Sequence, residues 1–161
     1  MSNTLIGKPF STVLAPVQNG RVLSDRSEKS VPMFGDQRTR TFDVNGDGKA
    51  DARLIESTIM GTTRRELSML DGQGRAVDTF VSGTKRDSFF GLVETGKVWS
   101  HAHNEYPATG WAPSLEIYEK ASNETGELAM RATTTVTPSG EKTKFEVDQD
   151  KNGSLETIIN R

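Results

Sequence analysis

The chain has 161 residues, 33% hydrophobic and 26% charged, with 20 Lys and Arg against 22 Asp and Glu, which fits one domain and implies no bulk attraction to nucleic acid or anionic membrane. Cysteine is absent, excluding disulfides, thiolate metal sites and cysteine nucleophiles. No apolar run is long enough to span a bilayer and no Sec-type leader is visible, so a soluble chain without membrane insertion is expected.

In chain order, residues 1–37 are the least patterned. Prolines at 9, 16 and 32 and short apolar stretches such as "TVLAPV" read as an extended N-terminal arm with one or two edge strands. Residues 38–161 read as a β domain. Alternating polarity rich in Thr, Val, Ile and Phe predicts strands over 38–44, 52–60, 64–70, 75–81, 97–104, 114–120, 128–136, 142–148 and 155–161. Turn chemistry such as "MGTT", "DGQG", "NETGE" and "PSGE" joins most of them. Two segments, 85–96 and 112–123, also admit a short helix, the second with Pro113 in its first turn. The expected class is all-β, an antiparallel meander forming a small sandwich or a partly open barrel.

Two polar loops stand out. "DVNGDGKAD" (43–51) and "DQDKNGSLE" (148–156) carry oxygen-bearing side chains at positions 1, 3, 5 and 9 and Gly at position 6. A hard cation such as Ca²⁺ takes about six to eight oxygen ligands, so a tight loop must turn alternate side chains inward. The first loop offers Asp43, Asn45, Asp47 and Asp51 with the carbonyl of Lys49. The second offers Asp148, Asp150, Asn152 and Glu156 with the carbonyl of Ser154. Asp, Asn and Gly are also the commonest turn formers, so either loop alone admits the alternative reading of a polar hairpin turn. The repetition of one pattern favours a metal cage, with Ca²⁺ suiting it better than the more strictly octahedral Mg²⁺.

"DVNGDGKAD" resembles the calcium loops of FG-GAP and VCBS-type β-repeat proteins, and its first six positions are also similar to dockerin and EF-hand loops. An EF-hand has a bidentate Glu at position 12, where this chain has Leu54 and Ile159, and the flanks read as strands rather than helices. The resemblance therefore implies the strand-flanked version, closed by the ninth-position acids Asp51 and Glu156. It covers about nine residues twice and implies no complete propeller.

Elsewhere, "WSHAHNEY" holds both histidines. In a strand His101, His103 and Glu105 share one face, as a two-histidine, one-carboxylate metal site would, or as two polar residues of a surface strand. Trp99, Tyr106 and Trp111 nearby read as core or as a surface that stacks on a sugar. "LDGQGRA" is a glycine turn, because Gln73 and Arg75 occupy its third and fifth positions. Arg38, Arg40, Arg64 and Arg65 read as a solvated sheet face balanced by acids. The sequons at 122–125 and 152–154 carry little without an export signal.

The expected function is a non-enzymatic calcium-binding structural or interaction protein whose partner is another protein or assembly subunit, with no nucleic acid. The competing expectation is a carbohydrate-binding protein or metal-dependent enzyme built on His101, His103 and Glu105. Extracellular modules bind calcium at about 10⁻⁴–10⁻³ M, so the expected setting is extracellular, cell-surface or virion.

Overall fold

The computed structural model describes residues 10–30, 35–59, 62–87, 93–121 and 128–160. A helix, α1 (Phe10–Gln18), precedes ten strands: β1 (Arg21–Ser30), β2 (Gly35–Asp43), β3 (Ala52–Ile59), β4 (Thr62–Leu70), β5 (Ala76–Asp87), β6 (Val93–Glu105), β7 (Leu115–Ala121), β8 (Leu128–Thr137), β9 (Gly140–Val147) and β10 (Glu156–Asn160). Each pairs antiparallel with its sequence neighbours in one sheet of order β1 to β10. The meander expected from the alternating strands is therefore present as one continuous layer, not closed into a barrel. Of segment 112–123, the described residues 112–121 contribute β7 and no helix. In 85–96 the flanking residues extend β5 and β6, while 88–92 lie outside the described residues, as do "NETGE" and the 122–125 sequon.

The expected arm holds both a helix and an edge strand. In "FSTVLAPVQ", Phe10, Leu14 and Val17 recur at helical spacing and bury one face. Pro16 falls in the last turn, where its missing N–H removes only one helical bond. Gly20 N–H donates to Val17 O at 2.9 Å and ends the helix. Beyond it β1 is exposed from Arg21 to Lys29 and carries Arg21, Asp25, Arg26, Glu28 and Lys29, charges that discourage pairing with foreign strands.

The helix covers only part of one sheet face. Phe10, Leu14 and Val17 pack on Phe42, Ala52, Leu54, Leu67 and Phe80, with Val13 and Met69 at the margin. Strand register aligns this face into a lateral row, Arg40, Leu54, Leu67, Phe80, His101, Glu119, Arg131, Glu146 and Thr157, one residue from each of β2 to β10. Between Arg40 and Thr157 at its ends, Leu54, Leu67 and Phe80 are apolar and His101, Glu119, Arg131 and Glu146 are ionisable.

The arginines expected on a solvated face have defined partners. Arg38 grips Asp25 through Nε and Nη2 at 2.9 and 2.6 Å, Arg40 pairs with Glu56, and Arg64 Nη1 lies 3.0 Å from Glu66. Arg65 stacks over the Phe10 ring at 4.7 Å, helping to seat the helix.

Candidate metal-binding loops and a buried ionic row

The first polar loop joins β2 to β3 and the second joins β9 to β10, so in an up-and-down meander they lie at opposite strand ends and near opposite edges. Their internal geometry is nevertheless closely similar, differing mainly in one donor at position 1 and one at position 9. At position 1, Asp43 accepts from Gly46 N–H (2.7 Å) and Gly48 N–H (2.8 Å), and Asp148 accepts from Asn152 N–H (3.0 Å) and Gly153 N–H (3.0 Å). At position 3, Asn45 and Asp150 each accept from the N–H of position 5. At position 5, Asp47 and Asn152 each accept from the N–H of position 7, supplied by Lys49 and Ser154.

The ninth-position acids close each ring. Asp51 Oδ2 accepts from Val44 N–H (2.8 Å) and Asn45 N–H (3.1 Å), and Glu156 Oε2 accepts from Gln149 N–H (3.1 Å). Positions 4 and 6 are left-handed in both: Gly46 and Gly48 at φ 84°, Lys151 at 59° and Gly153 at 86°. That conformation turns alternate side chains to one side, and glycine adopts it without steric cost.

The consequence is convergence of charge. Carboxylate oxygens of Asp43, Asp47 and Asp51 lie within 4.8 Å of one another, as do those of Asp148, Asp150 and Glu156. Among the described residues no other group of three or more His, Asp or Glu side chains meets so closely. Asp43 is buried, and Arg21 Nη2 lies 3.5 Å from its Oδ2. Burial raises its pKa, but N–H donation from Gly48 and Gly46 and the Arg21 charge outweigh this and hold it below the ordinary aspartate value.

The "DGQG" turn is a different device. Asp71 Oδ1 accepts from Gln73 N–H and Arg75 N–H, both 2.9 Å, while Arg75 Nε donates to Asp71 Oδ2 at 2.7 Å. The guanidinium stands where a cation would otherwise balance the acid. Its Nη1 reaches across to Pro107 O (2.9 Å) and Gly110 O (3.0 Å) on the β6–β7 loop, and it lies over the Tyr106 ring.

His101 and His103 do share a face of β6, but neither lies on the surface: they are 1% and 8% exposed. They do not form a ligand trio with Glu105. Asp78 of β5 stands between the rings, its Oδ1 lying 2.8 Å from His101 Nε2 and 2.9 Å from His103 Nδ1, while Glu105 is 3.5 Å from His103 Nε2 and half exposed. The row continues through Glu119, wholly buried and 3.7 Å from His101 Nδ1, to Arg131 (2.8 Å) and Glu146 (3.7 Å), which also pairs with Lys144. Five strands, β5 to β9, are thus joined by alternating charge. Burial lowers the His101 pKa, but the hydrogen bonds and charges of Asp78 and Glu119 raise it above the usual histidine value. Burial likewise raises that of Asp78, and the two histidines outweigh it and lower it.

Of the nearby aromatics, Trp99 has its side chain outside the described residues. Tyr106 is part-buried, with its hydroxyl donating to Ala76 O at 2.8 Å, and Trp111 is 72% exposed. No family model, curated protein or solved structure matches the chain.

Proposed function

We propose that this protein is a non-enzymatic calcium-binding structural module. Each nine-residue loop takes one Ca²⁺, stapling the β2–β3 and β9–β10 hairpins of a sheet that presents a surface to another protein or assembly subunit. The observation that carries this reading is the repetition of closely similar hydrogen bonding and of one carboxylate convergence in two loops that begin 105 residues apart, at Asp43 and Asp148. Turn formation alone requires neither the acids at positions 1, 5 and 9 of the first loop nor their counterparts at 1, 3 and 9 of the second. The likeness to FG-GAP and VCBS-type loops supports the same ion and the strand-flanked form. Bringing three carboxylates together costs electrostatic repulsion that a divalent ion reverses.

The Asp43, Asp47 and Asp51 carboxylates with Asn45 and the Lys49 carbonyl serve the first ion, and Asp148, Asp150, Glu156, Asn152 and the Ser154 carbonyl the second. Affinities of extracellular modules, about 10⁻⁴–10⁻³ M, place such a protein in a calcium-rich setting outside the cytosol, on a cell surface or in a virion. Calorimetric titration with Ca²⁺ is expected to resolve two sites, with Asp51→Asn and Glu156→Gln each removing one, and chelation is expected to lower the melting temperature. Absence of heat or of a melting shift up to millimolar Ca²⁺ overturns the reading.

A further inference from the structure

The β6–β7 connection, residues 106–114, is held as a rigid display. Arg75, only 8% exposed, donates to Pro107 O and Gly110 O from beneath, and Gln73 Nε2 donates to Ala108 O at 3.1 Å. Ser114 N–H donates to Glu105 O at 2.8 Å and closes the base. Gly110 turns at φ 103° and the next residue, Trp111, is presented 72% exposed. A large aromatic on a backbone fixed at several points loses little conformational freedom when it meets a ligand.

The surroundings of the indole decide what it meets. Residues 106–114 carry no charged side chain, so the loop offers nothing to a phosphate, sulfate or carboxylate. Its polar side chains are the hydroxyls of Thr109, Ser114 and Tyr106; the last two donate to Glu105 O and Ala76 O, and the neighbouring Gln73 amide donates to Ala108 O, so their oxygens remain as acceptors. A protein interface buries about 800 Å² per partner around a cluster of apolar anchors. Among the described residues, the exposed large apolar side chain tied to the loop besides Trp111 is Val136, whose N–H donates to Ser114 O. One flat exposed aromatic on an uncharged, hydroxyl-bearing loop matches the apolar C–H face and hydroxyl rim of a sugar ring.

We propose that the Arg75-anchored loop is a carbohydrate-binding platform on which Trp111 stacks against the C–H face of a neutral hexopyranose. The proposal stands apart from the calcium reading, since no loop carboxylate takes part in it. The test applies the labelled full chain, as wild type, Trp111→Phe and Trp111→Ala, to an array of neutral and acidic glycans, followed by calorimetry with the strongest ligand.

The expected result is binding to neutral glycans that weakens about tenfold in Trp111→Ala and is largely retained in Trp111→Phe, as loss of one aromatic stack requires. Unchanged melting temperatures are expected, because the side chain is exposed. Binding to no glycan, binding indifferent to Trp111→Ala, or binding confined to acidic glycans overturns the proposal. So does self-association in sedimentation velocity that Trp111→Ala abolishes while no glycan binds, which would make the loop a protein anchor.

Discussion

Phe80 and His101 stack face to face, ring centroids 4.6 Å apart and planes 8° from parallel. They are directly opposed on β5 and β6, at the seam where the apolar stretch of the lateral row, Leu54 to Phe80, meets its ionic stretch, His101 to Glu146. The imidazole serves both sides, as a flat surface for the phenyl ring and as a donor toward Asp78.

That arrangement predicts a pH dependence. The raised pKa of His101 means its ionic contribution is complete below the ordinary histidine value and is lost as pH rises through the folded value. The lowered pKa of Asp78 means its contribution is complete above the ordinary aspartate value and is lost as pH falls through the folded value. Their joint stabilisation is therefore greatest between about pH 4 and 6.5. Thermal melts across pH 5 to 9 are expected to show a decline on the alkaline side that His101→Gln flattens. Equal slopes in the two proteins would remove His101 from the explanation.

The end of α1 touches the first loop at Gly20. A Cβ there meets Asp43 O at 2.7 Å and Val17 O at 3.1 Å, both backbone atoms that cannot swing aside. Gly20→Ala is expected to cost about 1–3 kcal/mol in chemical denaturation by forcing the helix and loop apart. A cost below half a kilocalorie would show that the junction yields freely.

Lys151 occupies the left-handed position that Gly46 fills in the first loop. Lys151→Gly is expected to stabilise by up to about 1 kcal/mol, since relief of Cβ strain outweighs the added freedom of the unfolded chain. Gly46→Ala is expected to destabilise by a similar amount. Denaturant midpoints of both variants check the pair, and opposite signs are the decisive outcome.

Arg75 replaces a cation in the β4–β5 turn and ties that turn to the β6–β7 loop. Arg75→Ala leaves Asp71 and two carbonyls without its donors and is expected to cost about 1–3 kcal/mol. Hydrogen exchange is expected to accelerate across residues 106–114 and leave β2 to β4 unaffected. Uniform acceleration would instead mark Arg75 as part of the global fold.

Much of the architecture was legible in the chain because strands alternate with period two and their turns carry Gly, Asn, Asp and Pro. The helix was hidden because Pro16 suggests extended chain, although Phe10, Leu14 and Val17 already carry helical spacing. The loops were legible because their converging side chains come from nine consecutive residues. The ionic row was not, since Asp78, Glu119, Arg131 and Glu146 come from four strands and meet only through register. A faint signal existed: Asp78 lies in phase with Phe80, and Glu119 with Leu115 and Ile117. An acid repeating on an apolar strand face implies a buried partner.

A sheet in which every strand pairs only with its sequence neighbours has consequences for how it assembles. No pairing waits on closure of a long loop, so each added hairpin costs little more chain entropy than the last, and growth can spread outward from any formed pair. Unravelling takes the reverse course, starting at the exposed β1 and β10, where each edge strand is held on one side alone. The two acidic loops sit one pairing in from β1 and directly at β10, so ions held there would act as stops against fraying, much as a zipper is secured near both of its ends.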